Sequence, residues 1–322
     1  MNVSQLRLVR ETIRQHFNLS EVANNLLISQ PGVSRQLKEL EDELGVEIFE
    51  RRGKRLVGLT PPGEMLLPVI DRILLDVRNL KRVAGRFAVE DAGELSIATT
   101  HTQARYLLPD VLQAFRMRFP RVRLVLRQGS PEQIADWVAN GEVDIGVSSE
   151  ALDRRRELQT FPACTWRHCV VVPAGHELAH GSTRLTLQAL SRHPVVTYDE
   201  GMSERKHIDT AFAAARLPIE VALAAIDADV IKTYVEAGFG VGILSNLAFD
   251  ARRDSERLVC LDASHLFGDT DSLVAVRKGA YLREFALELV TMLALEQYAD
   301  AVMEALHREP PPPVRSCCKQ SS

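Results

Sequence analysis

The chain has 322 residues, 46% of them hydrophobic and 25% charged, with a net charge of −4. That length exceeds one ordinary hydrophobic core and asks for two or three domains, and the composition is globular rather than fibrous or disordered. No run reaches the ~20 apolar residues a membrane span needs. No basic-then-apolar leader opens the sequence, and five scattered cysteines make neither a CxxC pair nor a zinc-spaced cluster, so the expectation is a cytoplasmic protein with no metal site and no cofactor.

Charge is unevenly spread. Residues 1–90 carry +2 (14 Lys+Arg against 12 Asp+Glu) and the remainder −6. Arg35, Lys38, Arg51, Arg52, Lys54 and Arg55 crowd into 21 positions, a local basic face of the kind that contacts phosphates.

In chain order, Ser4 is read as the cap of a helix carrying Leu6, Val9, Ile13 and Phe17 at helical spacing. Ser20 is read as the cap of a short second helix and Ser29 of a third, with Pro31 in its first turn and Val33, Leu37 and Leu40 inward. Two short helices around Leu27-Ile28-Ser29 predict a helix-turn-helix. Gly45 stops the next stretch, and Glu47–Arg51 and Arg55–Leu59 read as a hairpin wing around Arg52-Gly53-Lys54. The third helix leaves Gln30, Ser34, Arg35 and Lys38 outward. Gln pairs with adenine edges, Arg and Lys with guanine, and Ser with base or phosphate.

Thr60 caps a long helix in which Leu66, Ile70, Ile73, Val77, Leu80, Ala84 and Phe87 recur at intervals of four and three. This heptad seam suits a second copy of the helix, or packing on the chain's own first domain. Asp91-Ala92-Gly93 breaks it. Strands then predict at 94–99, 121–127, 144–147, 169–172, 194–198, 241–244 and 272–276, with helices at 108–118, 131–140, 205–214 and 229–237 between them, an α/β pattern. Residues 307–322 read as a disordered tail containing Cys317 and Cys318.

Hydroxyl and amide side chains cluster where predicted strands give way to helices: Thr99 to Gln103, and Ser130 before Pro131. Such loops present hydrogen-bond donors to a small ligand, although each hydroxyl could equally be a helix cap. Gly238-Phe239-Gly240-Val241-Gly242 has the wrong order for a dinucleotide loop, because its glycines end a helix and start a strand. No GxSxG, HExxH or phosphate-loop motif occurs, so no enzyme is expected.

The run Leu19-Ser20-Glu21-Val22-Ala23, then Ser29-Gln30-Pro31-Gly32-Val33-Ser34-Arg35-Gln36-Leu37-Lys38-Glu39-Leu40, and Leu59-Thr60-Pro61-Pro62-Gly63 resemble the signature of LysR-type regulators. Residues 97–109 (IATTHTQARYLLP), 128–131 and 227–235 are similar to its CysB branch, regulators of sulfur assimilation. The resemblance implies an α/β architecture in three parts: a winged helix-turn-helix at 1–59, a dimerising linker helix at 60–88 and a two-lobed, periplasmic-binding-protein-like sensor at 92–306. Its first lobe would span about 92–163 plus 268–306 and its second about 164–267. It places Gln30, Pro31, Ser34, Arg35 and Lys38 at the major groove and Arg51, Arg52, Lys54 and Arg55 along the backbone or minor groove. It also places Thr100, Thr102, Gln103, Ser130, Ser149, Ser203 and Trp166 around an effector.

Implied partners are double-stranded promoter DNA, RNA polymerase, further copies of the chain in a dimer or tetramer, and N-acetylserine, O-acetylserine, sulfate or thiosulfate. Implied too are activation of cysteine-biosynthesis genes and a bacterial, nucleoid-associated location. Two departures stand out. Ser149 and Ser203 replace threonines of the branch, and Asp199, Glu200 and Glu204 bring three carboxylates to one segment, which would disfavour an anion if they faced the cleft.

Overall fold

The computed structural model describes residues 1–53, 55–86, 92–149, 151–180 and 184–306; Lys54, Glu150, Phe87 and the tail from 307 on lie outside the described residues. The chain divides into two compact units, residues 1–88 with Gly279–Tyr281, and the rest.

In the first unit, α1 (Val3–Arg14), α2 (Leu19–Leu26) and α3 (Gln30–Leu44) are followed by the antiparallel pair β1 (Phe49–Arg52) and β2 (Arg55–Leu59). Two of the expected caps shift upstream. Asn2, not Ser4, caps α1, because Asn2 accepts from the Gln5 N–H while Gln5 reaches back to the Asn2 N–H. Asn18, not Ser20, caps α2 by accepting from two backbone N–H groups. Ser29 caps α3 as expected, and Gly45 ends it at φ 70°, where a side chain would be strained.

The core of this unit is Leu8, Val9, Val22, Val33, Leu37, Leu40, Ile48 and Phe49, all nearly inaccessible. Glu41 is buried among them. Its Oε1 accepts from the N–H groups of Ile48 (2.9 Å) and Phe49 (3.1 Å), and its Oε2 from Arg51 Nη2 (2.7 Å). One carboxylate on α3 thereby fixes where the wing begins.

The long helix α4 (Pro61–Arg86) starts as expected, with Thr60 Oγ1 accepting from the Gly63 N–H at 3.0 Å. A Cβ at Gly63 would stand 2.2 Å from the Ile48 carbonyl, so only glycine lets α4 pass this close to the wing. The heptad seam is divided in use. Ile70 and Leu74 are buried in the unit's core and Leu66 and Ile73 pack against it, whereas Leu80 is 73% exposed.

The second unit is built on one mixed, nine-stranded sheet. Its strands are β3 (Ala92–Thr99), β4 (Arg121–Gln128), β5 (Ile145–Ser148), β6 (Leu158–Pro173), β7 (Val195–Tyr198), β8 (Val221–Ala225), β9 (Val241–Ser245), β10 (Leu258–Asp262) and β11 (Asp269–Arg277). The order is β4-β3-β5-β11-β6-β9-β7-β8, with β10 also on β6. Helices α5 (His101–Tyr106), α6 (Leu108–Arg118), α7 (Pro131–Ala139), α8 (Leu187–Leu190), α9 (Ser203–Ala214), α10 (Ala228–Glu236), α11 (Ala251–Asp254), α12 (Ser264–Phe267), α13 (Glu284–Leu293) and α14 (Ala299–Leu306) flank it.

The 16-residue β6 makes this two lobes on one sheet. Its first part pairs with β11 as far as Arg167↔Asp269, and its last part, from His168 on, pairs with β9 and β10. The first lobe is packed around Leu95, Ile97, Phe115, Val274 and Phe285, the second around Val171, Tyr198, Ile231 and Leu244 on one face and Val170, Ile208, Phe212 and Ile243 on the other.

Each strand expected from the sequence exists, within a few residues. β8, β10 and the first eleven residues of β6 were not expected. β8 reads Val-Ala-Leu-Ala-Ala, whose alanines carry little strand preference, and the start of β6 mixes Gln, Thr, Pro and Cys without strict alternation. Gly238, read as a helix stop, takes φ 83° just past α10. No helix among the described residues is long and apolar enough to cross a membrane.

Candidate functional site

Two sets of residues carry the chemistry. On the first unit, Gln30, Pro31, Arg35 and Lys38 of α3 are exposed and Ser34 is partly so, all on the side away from Val33, Leu37 and Leu40. Arg35 is 81% exposed and held only by an i,i+4 pair to Glu39 at 2.8 Å, a bond of the surface kind that stabilises by about 0–1 kcal/mol and is readily exchanged for a base edge. Arg52 and Arg55, opposite each other across the hairpin, are exposed as well. Arg51 differs. Its guanidinium is committed to the buried Glu41, so its first task is to hold the wing on α3.

The second set lies where β3, β5, β6 and β11 meet α5 and α9. Register explains the convergence. Thr99 pairs with Val147, so Thr100 follows β3 just where Ser148 ends β5 and Ser149 follows it. Ser148 pairs with Leu273 of β11, and further along β11 Ser272 pairs with Cys164 and Thr270 with Trp166 of β6.

Thr100 occupies the N-cap position of α5 but makes no capping bond. Its hydroxyl donates instead to Gln103 Oε1 at 2.9 Å, with Thr99 donating to the same oxygen at 3.2 Å. Gln103 Nε2 in turn donates to Ser272 Oγ at 2.8 Å. Ser149 and Ser203 face each other across the lobes with Oγ···Oγ at 2.5 Å.

Thr100, Thr102, Gln103, Ser149, Ser203 and Trp166 are all buried. The Thr102, Ser148 and Thr270 hydroxyls are buried without a hydrogen-bond partner; Thr102 lies beside the Tyr198 phenol without a properly directed bond to it. Burial pushes that phenol above its ordinary range. A buried hydroxyl lacking a partner costs about 1–3 kcal/mol, so each of the three is a donor left over after folding.

Ser130 does not join this group. It caps α7, accepting from the Gln133 N–H while Gln133 returns the bond, so here the hydroxyl is a helix cap.

His168, on β6 two residues beyond Trp166, was missed from the sequence. Its ring is buried against Trp166 and Phe267, and burial lowers its pKa to about 4. Neutral His168 donates from Nε2 to the Glu204 carbonyl at 3.2 Å, which leaves Nδ1 a buried acceptor without a partner. Ser148, Thr270 and Ser272 were missed too. Nothing local distinguishes a strand serine that faces a cleft from one that faces a core.

Of the three carboxylates between 199 and 204, Asp199 and Glu200 are exposed, Asp199 accepting from the Gly201 N–H, and only Glu204 is buried. The buried Arg205 is engaged with Asp209 Oδ1 (2.8 Å) and the Tyr198 carbonyl (3.2 Å). Thr100, Thr102, Gln103, Ser149, Ser203 and Trp166 are neutral hydroxyl, amide and indole groups, and the buried Glu204 adds a negative charge that also acts on the Tyr198 phenol.

Comparison with known proteins gives the family. Residues 3–64 match the bacterial regulatory helix-turn-helix protein model of the lysR family, and residues 88–297 match the LysR substrate binding domain. The chain belongs to the LysR family. Within that family it is 55% identical to the HTH-type transcriptional regulator SsuR of Burkholderia cenocepacia, over 91% of this chain and 95% of that one. It is 47% identical to CysB of the same organism, over 96% and 98% respectively. The crystal structure of the cofactor-binding domain of the Cbl transcriptional regulator superposes with a TM-score of 0.62 at 38% identity, covering 67% of this chain and 95% of that domain. The protein is thus a LysR-type transcriptional regulator and not an enzyme, with a helix-turn-helix followed by a two-lobed α/β sensor, and it groups with the SsuR, CysB and Cbl regulators.

Proposed function

We propose that this regulator binds double-stranded promoter DNA as an activator of sulfate-assimilation and cysteine-biosynthesis genes, governed by an acetylserine or a sulfur oxyanion held between the sensor's lobes. The proposal includes a winged helix-turn-helix at 1–59, a dimerising helix at 60–88, a sensor at 92–306, assembly into dimers and tetramers, contact with RNA polymerase, and a cytoplasmic, nucleoid-associated site of action. One observation carries the effector reading. Buried neutral donors come from separate segments, and the Thr102, Ser148 and Thr270 hydroxyls make no hydrogen bond among the described residues. Neutral donors bind a small anion or carboxylate without the desolvation cost of a buried lysine or arginine.

Thr100→Val is the test. It keeps the size and removes the donor. A hydrogen bond to a charged group contributes about 1.5–3 kcal/mol, so affinity for N-acetylserine, O-acetylserine, sulfate or thiosulfate should fall roughly ten- to a hundredfold by calorimetry. DNA binding without effector should be unchanged. An effector response untouched by the substitution sinks this placement.

A second reading is favoured by the buried Glu204, which follows Ser203 directly. A carboxylate there suits a zwitterion or amine, and the regulator would then serve another pathway. Acetylserine or sulfate binding stronger than that of amine-bearing ligands decides against it.

A further inference from the structure

Away from the serine and threonine edge, a second set of polar contacts joins the lobes. Helix α5, from the first lobe, presents His101, Arg105 and Tyr106 to α10 of the second. His101 Nε2 lies 3.1 Å from Asp227 Oδ2. Tyr106 donates to Asp229 Oδ1 at 2.6 Å, and Arg105 Nε is 2.7 Å from Asp229 Oδ2, an ion pair without hydrogen-bond alignment. Lys232, itself buried, donates to the Tyr106 hydroxyl (3.2 Å), the Ala248 carbonyl (2.8 Å) and Asp254 Oδ2 (2.8 Å) and lies 3.2 Å from Asp229 Oδ1. The Tyr106 ring packs against the second lobe's own apolar core.

The arrangement is stiff for stated reasons. Asp227 is doubly used, because its Oδ1 caps α10 by accepting from the Asp229 N–H at 2.7 Å while Oδ2 faces His101. Asp227 at the N-cap and Asp229 in the first turn of α10 both lie where the helix dipole favours negative charge. Burial works against the Asp229 charge, yet the Tyr106 hydroxyl, Lys232 and Arg105 together hold its carboxyl below the ordinary range. Lys232 is likewise kept charged against burial by Asp254 and Tyr106. His101, Asp227 and Asp229 also stand close enough to suggest a cation site, but Arg105 and Lys232 already neutralise Asp229, and a metal would have to displace both.

We propose that this cluster is an interlobe latch: it holds the two lobes together in the effector-free protein, and through the six-residue helix α5 it ties Thr102 and Gln103 on that helix, and Thr100 at its N-cap, to the second lobe. The cleft's other interlobe bond, Ser149 to Ser203, is neutral and is made by proposed effector contacts, so a ligand can take it over. The latch uses none of those residues and persists when the ligand arrives. Its strength therefore sets what fraction of molecules already has the binding-competent arrangement, and so scales the apparent affinity. This last step rests on the effector reading above; the latch itself does not.

The test is hydrogen exchange by mass spectrometry on the full-length, effector-free protein. Asp229→Asn should speed exchange at least about fivefold in segments 101–107 and 228–236 together, with α13 unchanged. Tyr106→Phe, which keeps the ring in the core and removes one hydroxyl, should do the same to a smaller extent, and guards against an Asp229 variant that folds poorly. Arg105→Gln combined with Asp229→Asn should give less than the sum of the two single changes, because both break one contact. Loosening of α10 alone, or additive effects of Arg105 and Asp229, would overturn the latch. Because no effector is present, a regulator that binds none of the proposed ligands would defeat the effector reading and leave this result standing.

Discussion

The recognition helix and the sensor cleft solve opposite problems with the same elementary groups. On α3 the side chains proposed to meet DNA face solvent, and among the described residues Arg35 is paired only with its own helix neighbour Glu39. In the cleft the polar side chains are buried, and the Thr102, Ser148 and Thr270 hydroxyls make no hydrogen bond among the described residues. DNA is a large, charged surface that meets the protein from outside, so its contacts must be solvated and ready to trade weak partners. A small molecule has few atoms to offer. It gains most from donors already desolvated and held in place by others, as Gln103 is held by Thr99, Thr100 and Ser272.

The difference sharpens around Glu39 and Glu41, two residues apart on α3. Glu41→Ala strands the Ile48 and Phe49 N–H groups in the core and releases Arg51, and should cost about 3–5 kcal/mol of stability in the first unit. Binding to every DNA sequence should fall with it. Glu39→Ala should cost no more than about 0.5 kcal/mol. Urea unfolding of both variants checks the contrast; equal costs would show that the wing does not depend on the buried carboxylate.

Next in size is a pH effect confined to the sensor. Burial holds the folded His168 pKa at about 4 against an ordinary 6.5. Between those values the unfolded chain takes a proton that the folded chain refuses, so stability falls as pH drops from about 6.5 to about 4. The slope is at most about 1.4 kcal/mol per pH unit and the whole effect about 3 kcal/mol, with no further loss from this group below pH 4. Above pH 6.5 it contributes no slope. Denaturant midpoints of wild type and His168→Gln across that range decide it: parallel curves exclude His168 as the source.

On the DNA side, Arg35→Ala should cost about 1–3 kcal/mol at one base position and relax preference there. Arg52→Ala should instead weaken cognate and scrambled sites alike and reduce the salt dependence. Binding titrations at two salt concentrations separate the two. Identical behaviour of both variants would remove the distinction between reading and positioning.

These regions were not equally legible in the sequence. The helix-turn-helix was, because Ser29, Pro31 and Gly45 are local signals and the apolar face of α3 is periodic. The α5 loop was legible through residues that resemble the family. Ser272 and Thr270 were not, because β11 reaches the cleft from more than a hundred residues away and only sheet register puts it there. The latch escaped for the same reason: Arg105 and Asp229 each look like an ordinary solvated charge until the two lobes are folded together. Ser130 shows how two readings of one hydroxyl overlap: the position that suggests a ligand contact also caps α7.

The smallest expected effect on stability concerns the seam of α4. The heptad pattern ran unbroken from Leu66 to Phe87, which suggested one continuous surface for a second copy. The fold divides it, since Leu66, Ile70 and Ile73 serve the core of their own unit while Leu80 is exposed. A charge at Ile73 would therefore damage the fold and report nothing about assembly. Leu80→Asp isolates the question. With so little of Leu80 buried, unfolding stability should stay within about 0.5 kcal/mol of wild type. If α4 pairs with another α4 through this region, the same charge would be buried in duplicate between helices, and self-association should weaken by tenfold or more. Affinity for DNA with two half-sites should then fall while binding to one half-site is retained, because the second contact is no longer intramolecular. Sedimentation indistinguishable from wild type, with undiminished two-site binding, would place the assembly contact elsewhere than on the exposed half of α4.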